Sequence, residues 1–183
     1  MRTAMKFCSV ALVLVAMALC LSLVGCGGTT QKVTDFTWYK AAVPENFEKD
    51  TYFGDNAAKV RFVKNDEGKT IEMGWNGVSG NDAQKIAQNK IDWYGSDYAK
   101  QLDDVKLGNY TWKVVEAEGS NKVMNTFYFV DLGENLIGEV DGYGFTHDDK
   151  IIQDYVKSVT FSDNLKEDYD KAKEIKADTL EIH

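Results

Sequence analysis

From residue 35 onward, apolar and polar positions alternate in short runs that predict strands, with a helical spacing in between. Residues 35–47 open the folded part: Phe36, Trp38 and Tyr39 suit a strand, and Pro44, the only proline in the chain, ends it because proline cannot donate to a ladder. Residues 56–77 predict a hairpin. Val60 and Phe62 alternate with Arg61, residues 65–68 (NDEG) supply the turn, and Ile71, Met73 and Trp75 then face one way while Thr70, Glu72 and Asn76 face the other.

Residues 80–95 change period. Ala83, Ile86, Ala87, Ile91 and Tyr94 fall on one helical face, Asn81 or Asp82 can cap the start, and Gly95 marks the end. Residues 96–107 read as a polar connection or a further short helical turn. A strand follows at 108–119, with Tyr110, Trp112 and Val114 in register, and then a second hairpin at 124–142. The first arm of that hairpin, 126–130, is apolar on both faces, as expected of a central strand covered on two sides. Residues 146–161 predict a helix capped near Asp148, with a stripe of Ile151, Ile152, Tyr155, Val156 and Val159, running into a short strand at 159–161. The tail, 164–183, carries Leu165, Tyr169, Ala172, Ile175 and Leu180 among dense charges. It reads as a helix docked on the domain, or alternatively as a partner-binding coil. The expected fold class is α+β, with a mainly antiparallel sheet of about six strands flanked by helices.

The first 25 residues follow a different pattern. Arg2 and Lys6 precede an uncharged apolar run over 7–24, which describes an export signal and is also nearly long enough to cross a bilayer. The run stops at Leu23-Val24-Gly25-Cys26. These four residues resemble the lipobox of bacterial lipoproteins. The resemblance implies cleavage between Gly25 and Cys26, a diacylglycerol on the Cys26 thiol, and attachment to the extracytoplasmic side of a cell membrane, or of an outer membrane where one exists. Two or more acyl chains suffice for stable anchoring. The organisation expected is a signal peptide over 1–25, a lipidated cysteine and linker over 26–34, an α+β domain over 35–163 and a charged helix over 164–183.

Composition then narrows the function classes. Of the 183 residues, removing 25 leaves 158, enough for one domain with a real core. Cys8 and Cys20 leave with the signal and Cys26 is taken by lipid, so the folded domain has no thiol nucleophile, disulfide or thiolate metal site. Arg2 and Lys6 also leave, so 19 basic residues face 29 acidic ones, a formal charge of −10. That sign disfavours nucleic acid as a partner.

No catalytic residue set is legible, and no resident cofactor or metal is expected. His147 and His183 are the only histidines. Residues 141–149 (DGYGFTHDD) bring three acids and His147 close together. Their spacing is not that of a calcium loop, and a turn leading into an N-capped helix explains them. Ser79 lacks the glycine spacing of a nucleophile elbow, and residues 74–81 lack the lysine of a phosphate loop. The tryptophans read mainly as core. Tyr143 and Phe145, in a glycine-rich turn, and Trp75 are the candidate ligand contacts.

Three segments carry a further resemblance: the aromatic strand at the front, the Val43-Pro44-Glu45-Asn46-Phe47 turn, and the last helix running into Ser158-Val159-Thr160-Phe161. Together with the element order they resemble the PsbP-like fold, which includes lipid-anchored members of the LpqN type. No catalytic set is shared across that fold, so the resemblance implies architecture rather than activity. The function expected is a membrane-anchored, non-enzymatic module binding a protein or small ligand. The alternatives are a structural subunit of an envelope complex, or a hydrolase using acidic residues.

Overall fold

A computed structural model describes residues 32–50, 56–76, 81–133 and 136–182, with the side chains of Trp75, Asn76 and Ala177 left aside. The lipobox residues Gly25 and Cys26 lie outside the described residues, as does the apolar run before them. Among the described residues no helix is long and apolar enough to cross a membrane.

The fold is α+β and its sheets are antiparallel throughout. The strands are β1 (Val33–Asp35), β2 (Tyr39–Ala42), β3 (Glu48–Lys49), β4 (Val60–Lys64), β5 (Lys69–Asn76), β6 (Ala99–Gln101), β7 (Val105–Leu107), β8 (Tyr110–Glu118), β9 (Met124–Gly133), β10 (Leu136–Tyr143) and β11 (Thr160–Phe161). The helices are α1 (Ala83–Tyr94), α2 (Lys150–Ser158) and α3 (Leu165–Glu174). Eight strands form the main sheet in the order β3-β4-β5-β10-β9-β8-β6, with β7 also paired to β8, and β1-β2-β11 form a smaller sheet.

The main sheet is larger than the expected six strands because short polar segments pair along its edges. Residues 96–107, read as a connection, contain β6 and β7, both laid against the long strand β8. A ladder offered by a neighbouring strand decides these segments; their own weak propensity does not. The front aromatic strand is in fact two strands. Thr37 adopts φ 76°, and its amide donates to the Asp35 carboxylate at 2.8 Å, which turns the chain between β1 and β2. Strand β1 starts at Val33 with Thr34 only 1% exposed, so the folded part reaches into the segment expected to be linker.

The two faces of the main sheet are covered differently. On the first, Phe62, Met73, Trp112, Tyr128 and Val140 meet Ile152, Tyr155 and Val156 of α2, Tyr39 and Phe161 of the small sheet, and Trp38 from the turn before β2. Gly138 of β10 lets the Phe161 ring press onto the strand: a Cβ there would lie 2.5 Å from it. Helix α3 closes this side, with Ala172 buried and Tyr169 edge-on to Trp38 at 5.3 Å between ring centroids. The charged tail is therefore docked, as one of its two readings expected.

The second face carries α1. Its N-cap Asp82 accepts from the Lys85 amide at 2.7 Å, and Gly95 ends it at φ 90°. Ala83, Ile86 and Ala87 pack on Val115, Ala117, Phe127 and Phe129. A helix is about 10–12 Å across and strands are about 4.8 Å apart, so one helix covers two or three strands. Helix α1 lies over β6, β8 and β9. On β4, β5 and β10 the same face is lined by charge.

Candidate functional site

Strand alternation places the charges. In β10, Val140 points into the first-face core, so Glu139, Asp141 and Tyr143 point to the second face. In β5, Ile71 and Met73 are core and Glu72 points to the second face, directly across the ladder from Asp141. Gly74 sits across from Glu139, and a Cβ built on it would meet nothing within 4 Å. From α1, Lys90 reaches down to the two β10 carboxylates, at 2.9 Å from Glu139 Oε1 and 3.1 Å from Asp141 Oδ2.

These residues line a polar cleft of about 420 Å³ together with Ala58, Lys59 and Tyr169. A second hollow of about 270 Å³ adjoins it through the shared residues Lys90, Glu139 and Tyr143, and adds Ile86, Asn89, Trp93 and Tyr94. Trp93 is 84% exposed at its rim.

Two ion-pair groups sit side by side in the cleft. Glu72 accepts from Lys59 and from Arg61, each at 2.9 Å, and Arg61 also lies 3.8 Å from Asp50. Lys90 serves Glu139 and Asp141, and its ammonium stands 4.3 Å from the centroid of the Phe127 ring. The Tyr143 hydroxyl donates to Asp141 Oδ2 at 3.1 Å. The other oxygen, Asp141 Oδ1, is buried and accepts nothing from the protein.

Burial, followed by the neighbouring Glu139 carboxylate, pushes the Asp141 carboxyl up to about 7, against the opposing pull of Lys90. Burial alone would lower the Lys90 ammonium, but Asp141 and Glu139 outweigh it and hold Lys90 above its ordinary value. Burial and then Asp141 raise the Tyr143 phenol. Asp141 can therefore exchange a proton near neutrality, while Lys90 stays charged and Tyr143 stays a donor.

The expected ligand contacts separate. Tyr143 lines the cleft. Phe145 does not: it is 1% exposed, stacks on Phe47 at 6.3 Å and lies under the Lys69 ammonium, because the backbone turns after β10 and returns the ring to the first-face core. The side chain of Trp75 lies outside the described ones. The acids and histidine of 141–149 disperse to separate partners. Asp141 faces the cleft, the His147 ring is 2.7 Å from Glu116, Asp148 accepts from Thr146, and Asp149 caps α2 through the Ile151 amide at 2.9 Å. The cap is one residue later than expected. Among the described residues, no group of three or more histidine, cysteine or acidic side chains is placed to hold a metal ion.

Glu72, Lys90, Glu139 and Trp93 were not singled out in the sequence. A signal was present: acids on β5 and β10 fall on alternate positions of strands whose other face is mainly apolar or glycine, and two such strands pair.

No family model matches the chain, and no curated protein does. Among solved structures, a crystal structure from Bacteroides thetaiotaomicron VPI-5482 at 1.50 Å resolution is similar, with a TM-score of 0.45 and 12% sequence identity. The similarity covers 69% of this chain and 46% of that one, so the chain spans less than half the length of that structure.

Proposed function

We propose that this chain is a lipid-anchored extracytoplasmic binding module of PsbP-like architecture that takes a small polar ligand in the cleft between β5, β10 and α1. The observation that carries the binding reading is Asp141. A carboxylate that is 7% exposed, with one oxygen left without a protein partner, is costly unless something completes its hydrogen bonding. It lines a cleft of about 420 Å³ with Glu139, Lys90 and Glu72; Oδ1 itself is closed to solvent, so a ligand engages the accessible polar groups around it. Among the described residues the exposed large apolar side chains other than Trp93 are Val33, Tyr98 and Val123.

The anchor rests on Leu23-Val24-Gly25-Cys26. Among the described residues the first strand begins at Val33. Labelling cells with a radioactive fatty acid should mark the wild-type chain and leave Cys26→Ala unlabelled; label on that variant would sink the anchor.

The binding reading is tested with the full-length protein in detergent. A panel of polar small molecules should contain one that raises the melting temperature of the wild type and leaves Gly74→Leu, whose side chain fills the open cleft, unmoved. An equal shift in both proteins would place the ligand elsewhere. The pair Glu139 and Asp141, with one carboxyl poised near neutrality, also suits general acid–base hydrolysis. Lys90 stands between the two carboxylates in the place a water or nucleophile would need, so binding without turnover is the better reading. Chromatography of a bound ligand after long incubation distinguishes the two, since turnover yields fragments.

A further inference from the structure

We propose that the ligand of this cleft is a neutral saccharide, with one sugar ring stacked on Trp93 and its hydroxyls hydrogen-bonded to Glu139, Tyr143 and Lys90. The inference rests on the binding reading above and adds the chemical class.

Charge decides the first part. The cleft is close to balanced, since Glu72 already holds Lys59 and Arg61, and Glu139 and Asp141 already hold Lys90. A cationic ligand would have to displace the Lys90 ammonium from the carboxylates, which hold it charged. An anionic ligand would meet Glu72, Glu139 and Asp141 at close quarters. A neutral ligand meets neither obstacle and still finds donors and acceptors in one place. Lys90 donates, Glu139 and the Tyr143 phenol oxygen accept, and the Tyr143 proton stays on Asp141 Oδ2.

Trp93 decides the second part. An indole that is 84% exposed at the rim of a polar hollow presents an apolar plane beside hydrogen-bonding groups. A sugar ring has the matching form: C–H groups on its faces and hydroxyls around its edge. A purely polar ligand would leave the indole unused, and a purely apolar one would set carbon against Glu139 and Lys90. The two hollows share Lys90, Glu139 and Tyr143, which suits a chain of at least two rings over a single one.

The same ring chemistry can come from a free oligosaccharide or from a glycolipid headgroup, and the test separates them. Full-length protein in a polyoxyethylene detergent, whose headgroup carries no sugar, is applied to an array of neutral and acidic oligosaccharides. Spermidine and succinate are titrated alongside by calorimetry, and vesicles carrying galactosyldiacylglycerol are tested by flotation. Expected is binding of a neutral oligosaccharide, weakened at least tenfold in Trp93→Ala and abolished in Gly74→Leu, with both variants melting within a few degrees of the wild type. Binding of vesicles without binding of any soluble oligosaccharide keeps the class and assigns the headgroup. Binding of only spermidine, succinate or acidic glycans, lost in Gly74→Leu, overturns the saccharide while the cleft remains the binding site. Failure of every ligand overturns both readings, and a neutral glycan held equally by both variants overturns the cleft as its site.

Discussion

On one face of the main sheet, Phe62, Met73, Trp112, Tyr128 and Val140 disappear under two helices and a small second sheet. On the opposite face of the same strands, Phe127, Phe129 and Val115 disappear under a single helix, while Glu72, Glu139 and Asp141 stand around open space. Seven strands side by side are wider than one helix can cover. The polar remainder of the second face is thus a consequence of element count, and its buried charges are tolerated only because each finds a partner. Stability belongs to the first face and ligand chemistry to the uncovered part of the second.

The largest effects should fall on the closed face. Trp112→Ala empties a fully buried site among Tyr110, Tyr128 and Phe161 and should cost about 3–5 kcal/mol in urea denaturation. A loss below about 1 kcal/mol would mean that this face is not the structural one. Lys90→Met comes next, because it strands Glu139 and Asp141 without their cation while keeping the apolar stem over Phe127. The expected loss is about 2–4 kcal/mol at pH 8 and clearly less at pH 5, where Asp141 is protonated. A loss independent of pH would show that the role of Lys90 is packing alone.

The cleft also carries a pH signature of its own. The folded state holds the Asp141 proton up to about pH 7, whereas the unfolded chain releases it near the ordinary value of about 4. Between those values the folded state binds more protons, so stability falls as pH rises, by at most about 1.4 kcal/mol per unit, and the loss is complete above pH 7. The groups facing Asp141 are Lys90 and Tyr94 from α1, Glu139 and Tyr143 from its own strand, and Glu72 across the ladder. Asp141→Asn should remove the slope and stabilise the protein by about 1–2 kcal/mol at pH 8, less than the slope alone implies because Lys90 loses one charged partner. Glu116 works in the opposite sense: burial would raise it, but the His147 backbone and ring hold it below its ordinary value. Its contribution is present above the unfolded value and fades as pH falls below it. An unchanged slope in Asp141→Asn would remove Asp141 from the account.

Much of what is covered on either face was legible because period and burial coincide there. The 3.6-residue spacing of Ala83, Ile86 and Ala87 between Asp82 and Gly95 identified α1, and the doubly apolar run 126–130 identified β9 as central. Strands β6 and β7 were not legible, since Lys100, Gln101 and Lys106 carry no strand pattern and take their conformation from β8. The cleft was legible only in part. Tyr143 was singled out, but Glu72 looks like any solvent-facing residue of a hairpin until β10 pairs with β5 and places Asp141 across from it. Phe145 was placed by the glycines around it, and those glycines turn the chain inward. Local caps sit between these extremes. Asp149→Ala should cost about 1 kcal/mol, through the lost bond to the Ile151 amide and the 3.1 Å pair with Lys69, and should leave ligand binding intact because it lies outside the cleft lining.

The smallest expected change in stability belongs to Trp93, and it is the sharpest test of the comparison. Tryptophan by type suggests core, and Trp38 and Trp112 obey, each 0% exposed. Trp93 sits on α1 one residue before Tyr94, which packs against Phe127, and that single step turns a side chain about 100° around the helix. Helical phase therefore outweighs residue type and leaves the indole 84% exposed. Trp93→Ala should change unfolding free energy by no more than about 0.5 kcal/mol, against about 3–5 kcal/mol for Trp112→Ala. A loss near the larger figure would mean that Trp93 is packed in solution and is unavailable as a platform. An unchanged stability with tenfold weaker ligand binding would assign one tryptophan to the fold and the other to the ligand.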